Sequence, residues 1–167
     1  MGQHKLIVMR HAKSDWAAGD GSDFERPLNR RGRNDAFRMG RWLRGLNLAP
    51  TCIKSSPARR TVQTAEIAAR ALNGLPIIYE STLYLADFKE LTEITARPPS
   101  DCWILLGHNP GLEMLVSFLD PKLDSQPKFS KLMPTASIYV FEVNTDEWGL
   151  AQGCGTLLVH QRPKQLG

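Results

Sequence analysis

Apolar and polar positions along the chain alternate between two periods. Residues 5–10, KLIVMR, carry a short unbroken apolar run, the pattern of a parallel strand buried on both faces. The polar stretch DWAAGDGSDFERPLNRRG follows at 15–32. A loop of that length inside a compact domain is more often functional than idle. From about Asn34 to Leu46 the period lengthens. Ala36, Met39, Leu43 and Leu46 recur at helical spacing, which predicts an amphipathic helix with Arg33, Arg38, Arg41 and Arg44 largely off its inward stripe. TCIKS at 51–55 predicts a second strand. Ser56-Pro57 then reads as a helix start, with Ser as N-cap and Pro at the first helical position. That helix runs through Val62, Ala65 and Ala69 to Leu72, and Asn73-Gly74 ends it. LPIIYE at 75–80 predicts a third strand, 87–96 a short helix, and CWILLG at 102–107 a fourth strand. HNPG breaks that strand, and Leu112–Leu119 is helical. Two further strands, SIYVFEV at 137–143 and GTLLVH at 155–160, have no helical stretch between them.

Strand alternating with helix predicts an α/β fold, a three-layer α/β/α sandwich around a mostly parallel sheet. The last two strands are expected to be antiparallel neighbours, which makes the sheet mixed. Composition narrows the class. With 167 residues, 42% hydrophobic and 23% charged, the chain fits one soluble globular domain, residues 1–167, and not a disordered or fibrous protein. The apolar run Leu6–Met9 is too short for a transmembrane helix or a signal-peptide core. Met1-Gly2 opens like a myristoylation site, but position 6 is Leu where Ser or Thr is wanted. Cys52, Cys102 and Cys154 form no CxxC pair and each lies in or beside an apolar run, so buried thiols and a cytoplasmic location are expected.

Charge adds an asymmetry. The net +4 divides into +8 over residues 1–70, with 14 basic and 6 acidic residues, and −4 over residues 71–167, with 7 and 11. The first half is built to meet negative charge, whether nucleic acid, an acidic protein or a phosphate. In an open α/β sheet, ligands collect at the carboxyl ends of the strands. Here the first strand ends in Arg10-His11, the second leads into Arg59 and Arg60, and the fourth ends in Gly107-His108-Asn109-Pro110-Gly111. Two histidines and an arginine cluster on one sheet edge make an anion site that contains a nucleophile. Arginine grips two phosphate oxygens with a planar fork. A neutral imidazole can attack phosphorus and form a covalent intermediate that water then opens.

These residues resemble a known family. LIVMRHAKS is similar to the RHG signature of the histidine phosphatase superfamily, which includes the cofactor-dependent phosphoglycerate mutases. PLNRRGRNDA resembles its Leu-Thr-x-x-Gly stretch, SSPARRTVQTA its Ser-x-x-x-Arg-x-x-Gln-Thr-Ala stretch, and GHNPG its second-histidine turn. The four motifs come in the family order across residues 6–111. The short chain, the TLYLAD segment and the strand before QRP are most similar to the SixA-type phosphohistidine phosphatases. The resemblance implies a phosphoglycerate mutase-like fold. It implies His11 as the phosphorylated residue, Arg10 and Arg60 as phosphate ligands, and His108 as the second histidine on the phosphoryl group. Arg59 stands one place too early. Ser14 falls where the mutases reach substrate. Lys13 and Asn109 are further candidate substrate contacts, although Lys13 also reads as a solvated loop residue and Asn109 as a shaper of the turn.

Three positions depart from the family pattern. Ala12 replaces the signature glycine, and Ala17 replaces a mutase asparagine. Where many members carry a glutamate acid in Leu-x-Glu, this chain reads Leu83-Tyr84-Leu85, and Asp87 is out of register. A sugar alkoxide needs a proton as it leaves, whereas the P–N bond of phosphohistidine is already labile. The expected function is therefore hydrolysis of phosphohistidine on a signalling or phosphocarrier domain. The alternatives are a broad small-molecule phosphomonoesterase and a non-catalytic phospho-recognition module. His4 and His160 are expected to be structural, and no metal or other cofactor is expected. Arg30, Arg31, Arg33, Arg38, Arg41 and Arg44 invite a nucleic-acid reading, but aromatics interleave sparsely, so a solvated face or a docking face for an acidic protein is preferred. Oligomeric state is left open.

Overall fold

The computed structural model describes residues 2–125 and 131–167; Met1, part of the myristoylation pattern, lies outside them. Six strands form one sheet in the order β3-β2-β4-β1-β5-β6: β1 Gly2–Arg10, β2 Ile53–Ser55, β3 Ile77–Tyr79, β4 Cys102–Gly107, β5 Ile138–Thr145 and β6 Gly155–Gln161. The first four are parallel, β5 runs antiparallel to β1, and β6 antiparallel to β5. The sheet is mixed as expected. β4 is buried along its whole length, which accounts for its unbroken apolar sequence.

The period-two geometry of β1 sends its side chains into two cores. Leu6 and Val8 join Trp103, Leu105, Leu91, Leu112, Leu115 and Val116, beneath α3 (Phe88–Thr95) and α4 (Gly111–Leu119). Ile7 and Met9 join Ala36, Met39, Leu43, Ala65, Ala68 and Ile104, beneath α1 (Arg30–Gly45) and α2 (Arg59–Ala71). Each fully buried leucine or isoleucine contributes roughly 1.5–3 kcal/mol. The three layers thus share the sheet as their middle, and β1 and β4 hold both halves together. No helix among the described residues is long and apolar enough to cross a membrane.

Strand ends shift by up to three residues from the sequence reading, as at β1, which begins at Gly2 and not at residue 5, and two helix starts differ for a definable reason. Helix α1 begins at Arg30, inside the stretch read as loop, because the Asn29 side chain accepts the Gly32 N–H at 2.8 Å and caps it. Helix α2 begins at Arg59, two residues after the expected Pro57. Ser56 is not its N-cap; the hydroxyl is taken up by His108 and by the Ala58 N–H. The short helix after β3 has the expected start, with Asp87 and Glu90 in a reciprocal capping box. Asp87 is therefore occupied in holding a helix end. Cys52 and Cys102 are buried and Cys154 half-buried, all as free thiols.

Candidate active site

Strand register brings the two histidines together. Arg10 pairs with Gly107 across β1 and β4, so the next residues, His11 and His108, leave adjacent strands side by side. The His11 N–H still donates to the Gly107 carbonyl at 3.1 Å. Ring centroids stand 5.4 Å apart at 53°. From β2, the other neighbour of β4, Ser56 presents its hydroxyl to His108 Nε2 at 2.8 Å. Arg60 follows on the first turn of α2, fully buried, with Nη2 3.2 Å from His108 Nδ1.

These contacts assign the ring protons. The Ala12 carbonyl can only accept, so His11 Nδ1, 2.8 Å away, carries the hydrogen and Nε2 keeps its lone pair. No described residue bonds that Nε2. Arg60 can only donate, so His108 Nδ1 accepts and its Nε2–H donates to Ser56. Both rings are neutral. Burial pushes His11 down to about 3; the Ala12 carbonyl opposes this, and the charges of Arg10 and Arg60 push the same way as burial. Burial followed by Arg60 does the same to His108, also to about 3.

The motifs around the histidines work as supports. The Ala12 N–H donates to Thr64 Oγ1 at 3.1 Å, and Gln63 Oε1 accepts the Leu28 N–H at 2.8 Å. The Gln-Thr pair of α2 thereby holds both ends of the segment between β1 and α1. Gly32 lets α1 lie against that segment, since a Cβ there would collide with the Lys13 carbonyl. Ala12 does not adopt a positive φ, so its departure from glycine costs no strain.

A cavity of about 340 Å³ opens over the histidines. It is lined by all seven sequence candidates, Arg10, His11, Lys13, Ser14, Arg60, His108 and Asn109. They do not all point the same chemistry at it. The Asn109 amide hydrogens both go to protein acceptors, Glu113 Oε1 at 3.1 Å and the Met133 carbonyl at 2.9 Å, which bind the 131–135 segment to the turn. Arg10 and Arg60 each leave a buried Nε–H without a partner among the described residues. An orphaned guanidinium donor is costly unless an anion meets it. Arg59 is exposed.

Several cavity residues were missed by the sequence reading. Asp23 accepts from Arg60 Nη2 at 3.0 Å, Arg26 Nη1 at 2.8 Å and the Tyr84 hydroxyl at 2.6 Å. Burial works to raise its carboxyl, but the Tyr84 hydrogen bond and the two arginines outweigh that and pull it down to about 2. Arg26 is buried, donates to Ser14 Oγ at 2.8 Å, and lies 3.6 Å beneath the exposed ring of Trp16. Leu85 also reaches the cavity, with a φ of 51°. For Asp23, Arg26 and Trp16 the hint in the sequence was the length and charge of the 15–32 stretch; for Tyr84 and Leu85 it was their place where the family pattern carries an acid. Among the described residues, the cavity wall holds five cations, Arg10, Lys13, Arg26, Arg60 and Lys131, against one carboxylate, Asp23. Among the described residues no group of His, Cys, Asp and Glu is placed to hold a metal ion.

Comparison with known proteins gives the lineage. The profile of the histidine phosphatase superfamily (branch 1) matches residues 6–97, more than half of the chain. An uncharacterized chloroplastic protein of Arabidopsis thaliana is 30% identical over 127 residues, 69% of this chain; the match spans 58% of that protein's length. Among solved structures, a protein of Agrobacterium tumefaciens assigned as the phosphohistidine phosphatase SixA superposes with a TM-score of 0.77 and 28% identity, covering 96% of this chain and 98% of that one. A protein histidine phosphatase SixA complexed with tungstate superposes with a TM-score of 0.75 and 25% identity, covering 98% and 99%. The sheet and helices described above are thus the phosphoglycerate mutase-like fold of these neighbours. The chain belongs to the histidine phosphatase superfamily.

Proposed function

We propose that the protein hydrolyses phosphohistidine on another protein, through a phosphoryl group carried on His11. The observation that carries this reading is the pinned, neutral His11: Nδ1–H fixed on the Ala12 carbonyl, Nε2 bare on the cavity side. Nε2 attacks phosphorus as the P–N bond to the substrate imidazole breaks, and the bonding pair leaves with that ring. The substrate ring carries its proton on the other nitrogen and departs neutral. The transferred phosphoryl oxygens meet the guanidinium groups of Arg10 and Arg60, which line the same cavity as His11 and offset the developing charge. Water then attacks phosphorus, the P–Nε2 bond breaks, its pair returns to His11, and orthophosphate leaves with the water's protons.

The preference for a P–N bond rests on what the cavity lacks as an acid. Asp23 is the one carboxylate among the described lining residues, and with its carboxyl at about 2 it holds no proton to give at neutral pH. The two SixA proteins named above carry the same activity in their descriptions, which supports the reading.

The test is a phosphate-release assay on a carrier protein phosphorylated on histidine with phosphoramidate, run beside glycerol phosphate. We expect kcat/KM on the phosphohistidine protein to exceed that on the ester by about a hundredfold or more, the scale of a missing general acid. Labelled phosphate should be trapped on the wild-type protein and not on His11→Ala. Equal efficiency on both substrates would overturn the preference. Phosphate binding without a trapped phosphoenzyme would reduce the protein to a phospho-recognition module.

A further inference from the structure

A second cavity, of about 310 Å³, lies beside the one that holds His11. Its described lining residues include four cations, Arg31, Lys131, Arg162 and Lys164, set among prolines, and no carboxylate. Lys131 and Thr135 line both cavities, so the two adjoin across these residues. Arg31 also borders a shallower depression on α1 with Arg30 and Arg38, where Asp35 is the one acid among the described lining residues. The basic surface thus runs outward from the phosphoryl cavity onto the first turns of α1.

Among the described residues, little neutralises Arg31, Lys131 and Lys164. Arg31, 60% exposed, stands 3.5 Å from Asp35, a carboxylate it shares with Arg38. Arg162 donates to the Leu132 carbonyl at 3.3 Å. Lys131 and Lys164 are exposed, and neither has an ion pair within 4.0 Å among the described residues. Like charges gathered this way repel one another and are relieved by an anionic partner. An occupant of both cavities must bring further negative charge along with its phosphoryl group.

We infer that this groove docks the acidic face of the phosphohistidine-bearing protein, taking Asp and Glu side chains beside the phosphohistidine while His11 takes the phosphoryl group. The inference rests on the function proposed above and adds the chemistry of the partner surface. Electrostatic docking of this kind acts on encounter and on KM, and salt weakens it.

The test uses Lys164→Glu and an Arg31→Ala/Lys164→Ala double variant, both outside the phosphoryl cavity. Substrates are free phosphohistidine and carrier proteins phosphorylated with phosphoramidate, with flanking surfaces ranging from acidic to basic. At low ionic strength we expect KM for the acidic carrier to rise about tenfold with kcat nearly unchanged. Free phosphohistidine should be turned over as by wild type, and the salt dependence of the acidic carrier should flatten. Parallel loss on free phosphohistidine and carrier would overturn the groove as a docking site. So would an unchanged carrier KM, or variants that lose binding to a DNA oligonucleotide or anionic vesicles while carrier turnover is untouched. A wild-type protein that cleaves free phosphohistidine but no phosphohistidine protein would overturn this inference and the protein substrate together. Wild-type turnover of carriers with unaffected variants would overturn the groove alone.

Discussion

In the mechanism proposed above, His11 depends on a single hydrogen bond. Were Nδ1 not held on the Ala12 carbonyl, either nitrogen could carry the hydrogen, and half of the rings would offer phosphorus an N–H in place of a lone pair. The tripeptide around His11 is local, so the residue and its arginine were legible in the sequence. Asp23 was not. Its importance comes from Arg60, 37 positions away in the chain and 3.0 Å away in space. Leu85 is the most informative departure. It stands where the family resemblance would place an acid, reaches the cavity, and holds a φ of 51° that a leucine rarely adopts. Leu85→Glu puts a carboxyl at the cavity. We expect kcat/KM on glycerol phosphate to rise by about tenfold, the low end of general-acid catalysis for a group not yet optimally placed. An unchanged rate would mean that the missing acid does not set substrate preference.

At the scale of elements, two helix starts were read differently from sequence because caps are decided by neighbours. Ser56-Pro57 has the composition of a helix start, yet the Ser56 hydroxyl meets His108 from another strand, and α2 begins beyond it. The start of α1 is set by Asn29, which lies within the polar stretch 15–32 and becomes a cap once its side chain accepts the Gly32 N–H. α2 matters to chemistry through its side chains: Thr64 accepts the Ala12 N–H while donating to the Arg60 carbonyl at 2.7 Å. Thr64→Val removes that acceptor and leaves a buried N–H unpaired, a cost of about 1–3 kcal/mol. Urea denaturation should show that loss. Because the Ala12 carbonyl is also the anchor of His11, kcat should fall more than KM rises. A destabilised variant with unchanged kcat would separate the support of the fold from the support of the nucleophile.

For the molecule as a whole, the site couples to stability through pH. His11 and His108 sit near 3 in the folded protein against an ordinary 6.5. A folded value below the unfolded one means that the fold favours the neutral ring. That stabilisation is complete above pH 6.5 and is lost progressively as pH falls from 6.5 toward 3. Each ring contributes a slope of up to about 1.4 kcal/mol per pH unit within that window. Unfolding free energy measured from pH 7.5 to 4.5 should decline accordingly, and a His11→Gln/His108→Gln variant should decline less steeply. Equal slopes would show that the rings are not held neutral.

The sequence by itself determined the elements, the α/β class, and the four residues that carry the resemblance, because apolar period and short motifs are written in neighbouring positions. It also held the charge imbalance, +8 in the first 70 residues, without saying what that charge meets. Only the tertiary structure decided the rest. Strand order β2-β4-β1 and the pairing of Arg10 with Gly107 set the two histidines 5.4 Å apart. Folding brought Asp23 and Arg26 of the long loop back over Arg60, and the segments at 131–135 and 162–164 beside Arg31, making one basic groove from three distant stretches. The physical reason is that hydrogen bonds and charge fields act through space, and strand register, which fixes those distances, is set by burial across the whole sheet.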